Sequence, residues 1–82
     1  MEIASVVPAR ERDKRTLNAL AKAEKTVVHQ DNFTVVVFRN GKGVVVGAAK
    51  RNPRDDNFVA ERGEAIAMVR AYRAFREKGW QK

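Results

Sequence analysis

Phe33-Thr34-Val35-Val36-Val37-Phe38 and Gly43-Val44-Val45-Val46-Gly47 stand on either side of Asn40-Gly41, and that arrangement constrains the chain more than any other feature in it. β-Branched and aromatic residues suit a pleated strand. Asn-Gly supplies the two positive φ values of a type I′ turn at the least steric cost. The expected product is a hairpin in which Arg39 pairs Lys42, Val37 pairs Val44, Val35 pairs Val46 and Phe33 pairs Ala48. One face is then Phe33, Val35, Val37, Val44, Val46 and Ala48, and the other is Thr34, Val36, Phe38, Gly43, Val45 and Gly47. A sheet with one wet side normally alternates apolar and polar residues. Here the second face is also apolar, at Val36, Phe38 and Val45. Those three residues are expected to need a cover, from the N-terminal segment, a ligand, a docked protein or a second copy in a homodimer.

The rest of the chain frames this hairpin. Residues 1–8 are short and apolar, and are expected to form an edge strand or a flexible arm ending at Pro8. From Ala9 to Lys25 the spacing is helical, with Leu17, Leu20 and Ala21 on one side and Lys14, Arg15, Lys22 and Lys25 away from it. Thr26-Val27-Val28-His29 reads as a strand, and Gln30-Asp31-Asn32 as a turn. Lys50 to Asn57 is an irregular loop in which Asp55, Asp56 or Asn57 is suited to cap the next helix. That helix is expected from about Phe58 or Ala60 to Lys78, stopped by Gly79. Ala65, Met68, Val69, Tyr72 and Phe75 share one side of it, beside a stripe of Arg62, Arg70, Arg73 and Arg76. Trp80 follows the stop and is placed to fold back onto the domain. The fold class is therefore α+β, of order α-β-β-β-α, with a three-stranded antiparallel sheet packed on two helices in one small domain.

Composition excludes several chemistries. The chain has no cysteine, one histidine (His29) and one serine (Ser5). A nucleophile, a base and its orienting partner cannot be assembled from that stock. His29 sits in a β-branched strand without the convergent donors that a metal needs. No enzyme, no cofactor and no metal are expected. No apolar run approaches the ~20 residues that span a bilayer, so no membrane partner is expected, and a cytoplasmic location is.

Charge points to a polyanion. The net charge is +7, and it is uneven. Residues 1–38 hold six Lys/Arg against five Asp/Glu, whereas residues 39–82 hold eleven against five. Lys50, Arg51 and Arg54 lie in the loop, Arg62, Arg70 and Arg73 on the last helix, and Arg39 and Lys42 beside the hairpin tip. Such a set is suited to tracking phosphates. Nucleic acid is the expected partner, and an acidic protein surface is the alternative.

Helix, three antiparallel strands and a closing helix is also the layout of the double-stranded-RNA-binding domain (dsRBD). Phe33–Phe38, the Asn40-Gly41 turn, Gly43–Gly47 and the alanine-rich last helix (Ala60, Ala65, Ala67, Ala71, Ala74) resemble its second half. Gly47-Ala48-Ala49-Lys50-Arg51-Asn52-Pro53, then Asp55 or Asp56, Phe58 and Gly63-Glu64-Ala65-Ile66-Ala67, resembles small dsRBD-like proteins of unassigned function from bacteriophages and actinobacteria. The resemblance spans about residues 33–76 and implies a dsRBD-like fold. In that family a lysine-rich motif opening the last helix grips phosphates. The matching place here reads Ala60-Glu61-Arg62-Gly63-Glu64. Phosphate contacts are therefore expected from Lys50, Arg51 and Arg54.

Overall fold

The computed structural model describes residues 2–50 and 60–82. Its elements run α1 (Ile3–Val6), a 3-10 turn (Ala9–Glu11), α2 (Lys14–Ala21), β1 (Glu24–Gln30), β2 (Phe33–Asn40), β3 (Gly43–Lys50) and α3 (Ala60–Lys78). The three strands form one antiparallel sheet in the order β1-β2-β3. The expected α+β class and element order are those observed. Among the described residues no helix is long and apolar enough to cross a membrane.

Side chains alternate across the sheet, so each strand presents two faces. On the inner face, Val36 and Phe38 of β2 and Val45 and Ala49 of β3 are buried against the helices. Gly47 sits among them, opposite Val36. A Cβ placed on Gly47 would overlap the Ala67 carbonyl oxygen and the Ala71 nitrogen, and would lie 2.9 Å from the Ala71 Cβ. Helix α3 therefore rests its own backbone on β3, which only a strand glycine and helix alanines permit. Met68 and Tyr72 flank that contact and are fully buried. Ile3 and Val7 from the N-terminal segment and Leu20 from α2 complete the core.

Three expectations need correction. Val36, Phe38 and Val45, expected as an interaction face, are 0%, 3% and 2% exposed. Their cover is the chain's own helical layer, because the face holding Gly47 is the one that admits a helix closely. The exposed face is the other one, where Val28, Phe33 and Val46 are 44%, 46% and 49% exposed. Second, the hairpin register is shifted by two residues. Asn40 pairs Gly43, Phe38 pairs Val45 and Val37 pairs Val46, which leaves Gly41-Lys42 as the turn. Asn40 does not take a central position of a type I′ turn. Its Oδ1 instead accepts from the Lys42 amide at 2.7 Å, a local side-chain bond that competes with that geometry. Gly43 takes φ 151° there, and a Cβ on it would overlap the Gln81 carbonyl oxygen.

Third, residues 3–6 are a single helical turn rather than an edge strand, and the helix expected from Ala9 to Lys25 is divided. Burial of Ile3 and Val7 decides the first case, overriding the strand preference of Val6 and Val7. Asp13 decides the second. It is the N-cap of α2, accepting from the Arg15 amide at 3.2 Å and from Thr16 Oγ1 at 2.7 Å. The Thr16 hydrogen bond holds the Asp13 carboxyl below the usual aspartate range, aided by the Arg15 amide and the Arg76 charge and opposed by desolvation. At the other end of the chain, Gly79 closes α3 with φ 69° and its amide donates to the Phe75 carbonyl at 2.8 Å. Trp80 then folds back edge-on to Phe75, with ring centroids 5.0 Å apart.

Gly47→Ala tests the helix–sheet contact. The added methyl has no space, so the variant is expected to lose about 1–3 kcal/mol or more, the cost of overpacking a core. Thermal or urea unfolding measures it, with Gly41→Ala, where a Cβ meets nothing within 4 Å, as the control.

Candidate nucleic-acid interface

The expected phosphate-binding cations are exposed wherever they are described, and they divide into those the fold consumes in bonds of its own and those it leaves without a carboxylate partner among the described residues. Arg70, Arg73 and Arg76 are consumed. Arg70 Nη1 donates to the Ala48 carbonyl at 2.6 Å. Ala48 lies on β3, an edge strand, so the guanidinium covers part of an open strand edge. Arg73 Nη2 reaches both carboxylate oxygens of Glu11, at 3.2 and 3.1 Å. Arg76 Nη1 donates to the Glu11 carbonyl at 3.3 Å, and its guanidinium lies 5.8 Å from the Tyr72 ring centroid.

These arginines share their target with a tyrosine. The Tyr72 hydroxyl donates to the Glu11 carbonyl at 2.5 Å and accepts from the Asp13 amide at 2.6 Å. One side chain of α3 thus satisfies a donor and an acceptor at the junction between the 3-10 turn and α2. Arg12 fastens the preceding stretch, its Nε donating to the Val7 carbonyl at 3.1 Å. The arginine stripe is in this respect a strap for the N-terminal segment. The sequence carries the stripe plainly, but nothing in its spacing reveals that Glu11, distant along the chain, is its partner.

The other cations point outward. Arg39, Lys42, Lys50 and Arg62 are exposed. Arg39 and Lys42 flank the tip of the β2–β3 hairpin, Lys50 ends β3 with its ammonium 5.8 Å from the Phe33 ring centroid, and Arg62 lies in the first turn of α3. Arg51 and Arg54, with the expected caps Asp55, Asp56 and Asn57, lie outside the described residues. The structure adds a group that the site expectation omits. Lys14, Arg15 and Asn18 on α2 and Lys22 at its C-cap are exposed, and the helix has no acidic residue between Lys14 and Ala21. Their helical spacing is legible in the sequence, where they fall opposite the leucines.

Ion pairing among the described residues is sparse. Lys25 meets Glu64 at 3.5 Å and Arg73 meets Glu11 at 3.1 Å. His29, the lone histidine, has its Nδ1 3.2 Å from Thr34 Oγ1. An open groove of about 470 Å³ between the N-terminal helices and β1 is lined mostly by apolar side chains, among them Ile3, Leu17, Leu20, Phe38 and Met68, with Glu2, Asn18 and Lys25 as its polar lining.

Tyr72→Phe isolates the strap. Removing the hydroxyl leaves the Asp13 amide without its partner and the Glu11 carbonyl with the longer Arg76 bond alone, which is expected to cost about 1–3 kcal/mol. Urea unfolding reads the loss, and faster amide exchange at Asp13 places it. No family model matches the chain, and no curated protein or solved structure matches it.

Proposed function

We propose that the chain is a non-enzymatic nucleic-acid-binding module of the cytoplasm, sequence-nonspecific, that contacts phosphates through exposed basic side chains. The observation that carries this reading is the division of the cations. Arg39, Lys42 and Arg62 are exposed with no carboxylate partner among the described residues, and Lys14, Arg15 and Lys22 line an acid-free helix face. A surplus of +7 creates a field that attracts polyanions from beyond contact distance.

The contact set differs from the one that the sequence suggests. Lys50, Arg51, Arg54, Arg62, Arg39 and Lys42 remain in it, and the exposed face of α2 joins it. Arg70 and Arg73 leave it, because moving either guanidinium onto a phosphate breaks a bond that the fold already makes. Because Ala60-Glu61-Arg62-Gly63-Glu64 stands where the dsRBD carries its lysine-rich motif, the resemblance does not choose among duplex RNA, duplex DNA and single strands. The alternative of an acidic protein partner loses its proposed surface, since Val36, Phe38 and Val45 are core.

Fluorescence anisotropy with labelled duplex RNA, duplex DNA and single-stranded DNA tests the reading. Binding is expected to weaken at least tenfold between about 50 and 200 mM salt, the signature of released counterions. Arg51→Ala combined with Arg54→Ala is expected to lower affinity more than about tenfold at unchanged melting temperature, as loss of two charged phosphate contacts does. Arg73→Ala is expected to lower the melting temperature with little effect on affinity. No binding of any probe at the lower salt overturns the proposal.

A further inference from the structure

The centre of the outer sheet face has a chemistry that the nucleic-acid reading does not use, while Arg39 and Lys50 at its ends belong to that reading. Pairing registers arrange it in four rows, Gln30-Phe33-Lys50, Val28-Val35-Ala48, Thr26-Val37-Val46 and Glu24-Arg39-Val44. The two central rows contain no charged side chain, on a chain of net charge +7. A face built for phosphate would carry cations at its centre. This one keeps them at its ends.

We propose that this face is the interface between two copies of the chain, packed sheet on sheet. The pattern itself selects the relation between the copies. A two-fold axis parallel to the strands lays each row over its own counterpart, and so sets Arg39 against Arg39 of the second copy. An axis perpendicular to the strands lays the first row over the fourth and the second over the third. Val35 then faces Val37, Ala48 faces Val46, Val28 faces Thr26, and Phe33 faces Arg39, a pairing favourable to a cation over an aromatic ring. Both ends gain complementary charge as well. The turn holding Asp31 comes to the end where the second copy carries Lys42, and Lys50 comes to the end where it carries Glu24. Such an interface is isologous and closes on itself.

Size sets the strength. Three strands of this length cover on the order of 400 Å², against about 800 Å² per partner in a standard stable interface. The dimer is therefore weak and concentration-dependent. Its salt response is opposite to that of phosphate binding, because the repulsion between two copies of net charge +7 outweighs the exposed charge pairs at the ends, and salt screens both. That sign separates a second copy from an acidic partner, whose attraction salt weakens.

Sedimentation velocity of nucleic-acid-free protein, over a concentration range on the order of 5–500 μM and at about 100 and 500 mM NaCl, brackets such a weak equilibrium. A shift from monomer to dimer with concentration is expected, further advanced at the higher salt. Val46→Lys and Val28→Lys, on different strands and each exposed, are both expected to raise the dissociation constant at least about tenfold by placing a charge in an apolar interface. Their melting temperatures are expected to stay at the wild-type value. A monomer at every concentration, a dimer that survives both substitutions, or a dimer that dissolves in salt overturns the proposal.

Discussion

The contact of α3 with Gly47 fixes the remainder of this molecule. Helices normally stand off a sheet by the thickness of their side chains. Here Ala67 and Ala71 bring the helix backbone onto the strand, and one missing Cβ makes room for it. With the helix so close, Met68 and Tyr72 reach down on either side and lose all solvent exposure. The same placement brings Arg70 to the Ala48 carbonyl at the sheet edge. It also turns Tyr72, Arg73 and Arg76 toward Glu11, so that the N-terminal segment is fastened to α3 rather than to the sheet.

How much of this is legible in the sequence depends on which physical rule decides each element. Period-two alternation identifies both hairpin faces, and it tolerates the register difference because a shift of two residues leaves every side chain on its own face. Which face lies inside is harder to read. Both faces are apolar, so hydrophobicity does not rank them, and volume does. Gly47, Ala49 and Thr34 lie on one face, and such small residues mark where a helix approaches closely. The last helix and its Gly79 stop are set by local chemistry, and expectation and structure agree there. The N-terminal half depends on distant partners. Asp13 with Thr16 is a readable cap, whereas the anchoring of Glu11 by Tyr72 and Arg73 has no local signal.

The same distinction explains what becomes of the candidate site. A row of arginines looks alike in sequence whether it meets solvent, phosphate or its own chain. Arg70 and Arg73 are exposed but committed to Ala48 and Glu11, while Arg39, Lys42 and Arg62, also exposed, have no carboxylate partner among the described residues. Interior small residues thereby sort the surface charges, because they place the helix that decides which arginines find partners. The two sheet faces follow from the same cause, an inner one closed by the helix and an outer one left apolar and open.

The assignment of those faces is tested most directly by thiol accessibility. The chain has no cysteine, so Val46→Cys and Val36→Cys each carry one unique reporter. Labelling is carried out on dilute protein, below the concentration at which copies associate. With the helices on the Gly47 face, the thiol at position 46 is expected to react with a maleimide at close to the rate of a free thiol. The thiol at position 36 is predicted to react only through unfolding, and so to be slower by orders of magnitude. Rapid labelling at position 36 with protection at position 46 would instead place the helices on the opposite face of the sheet.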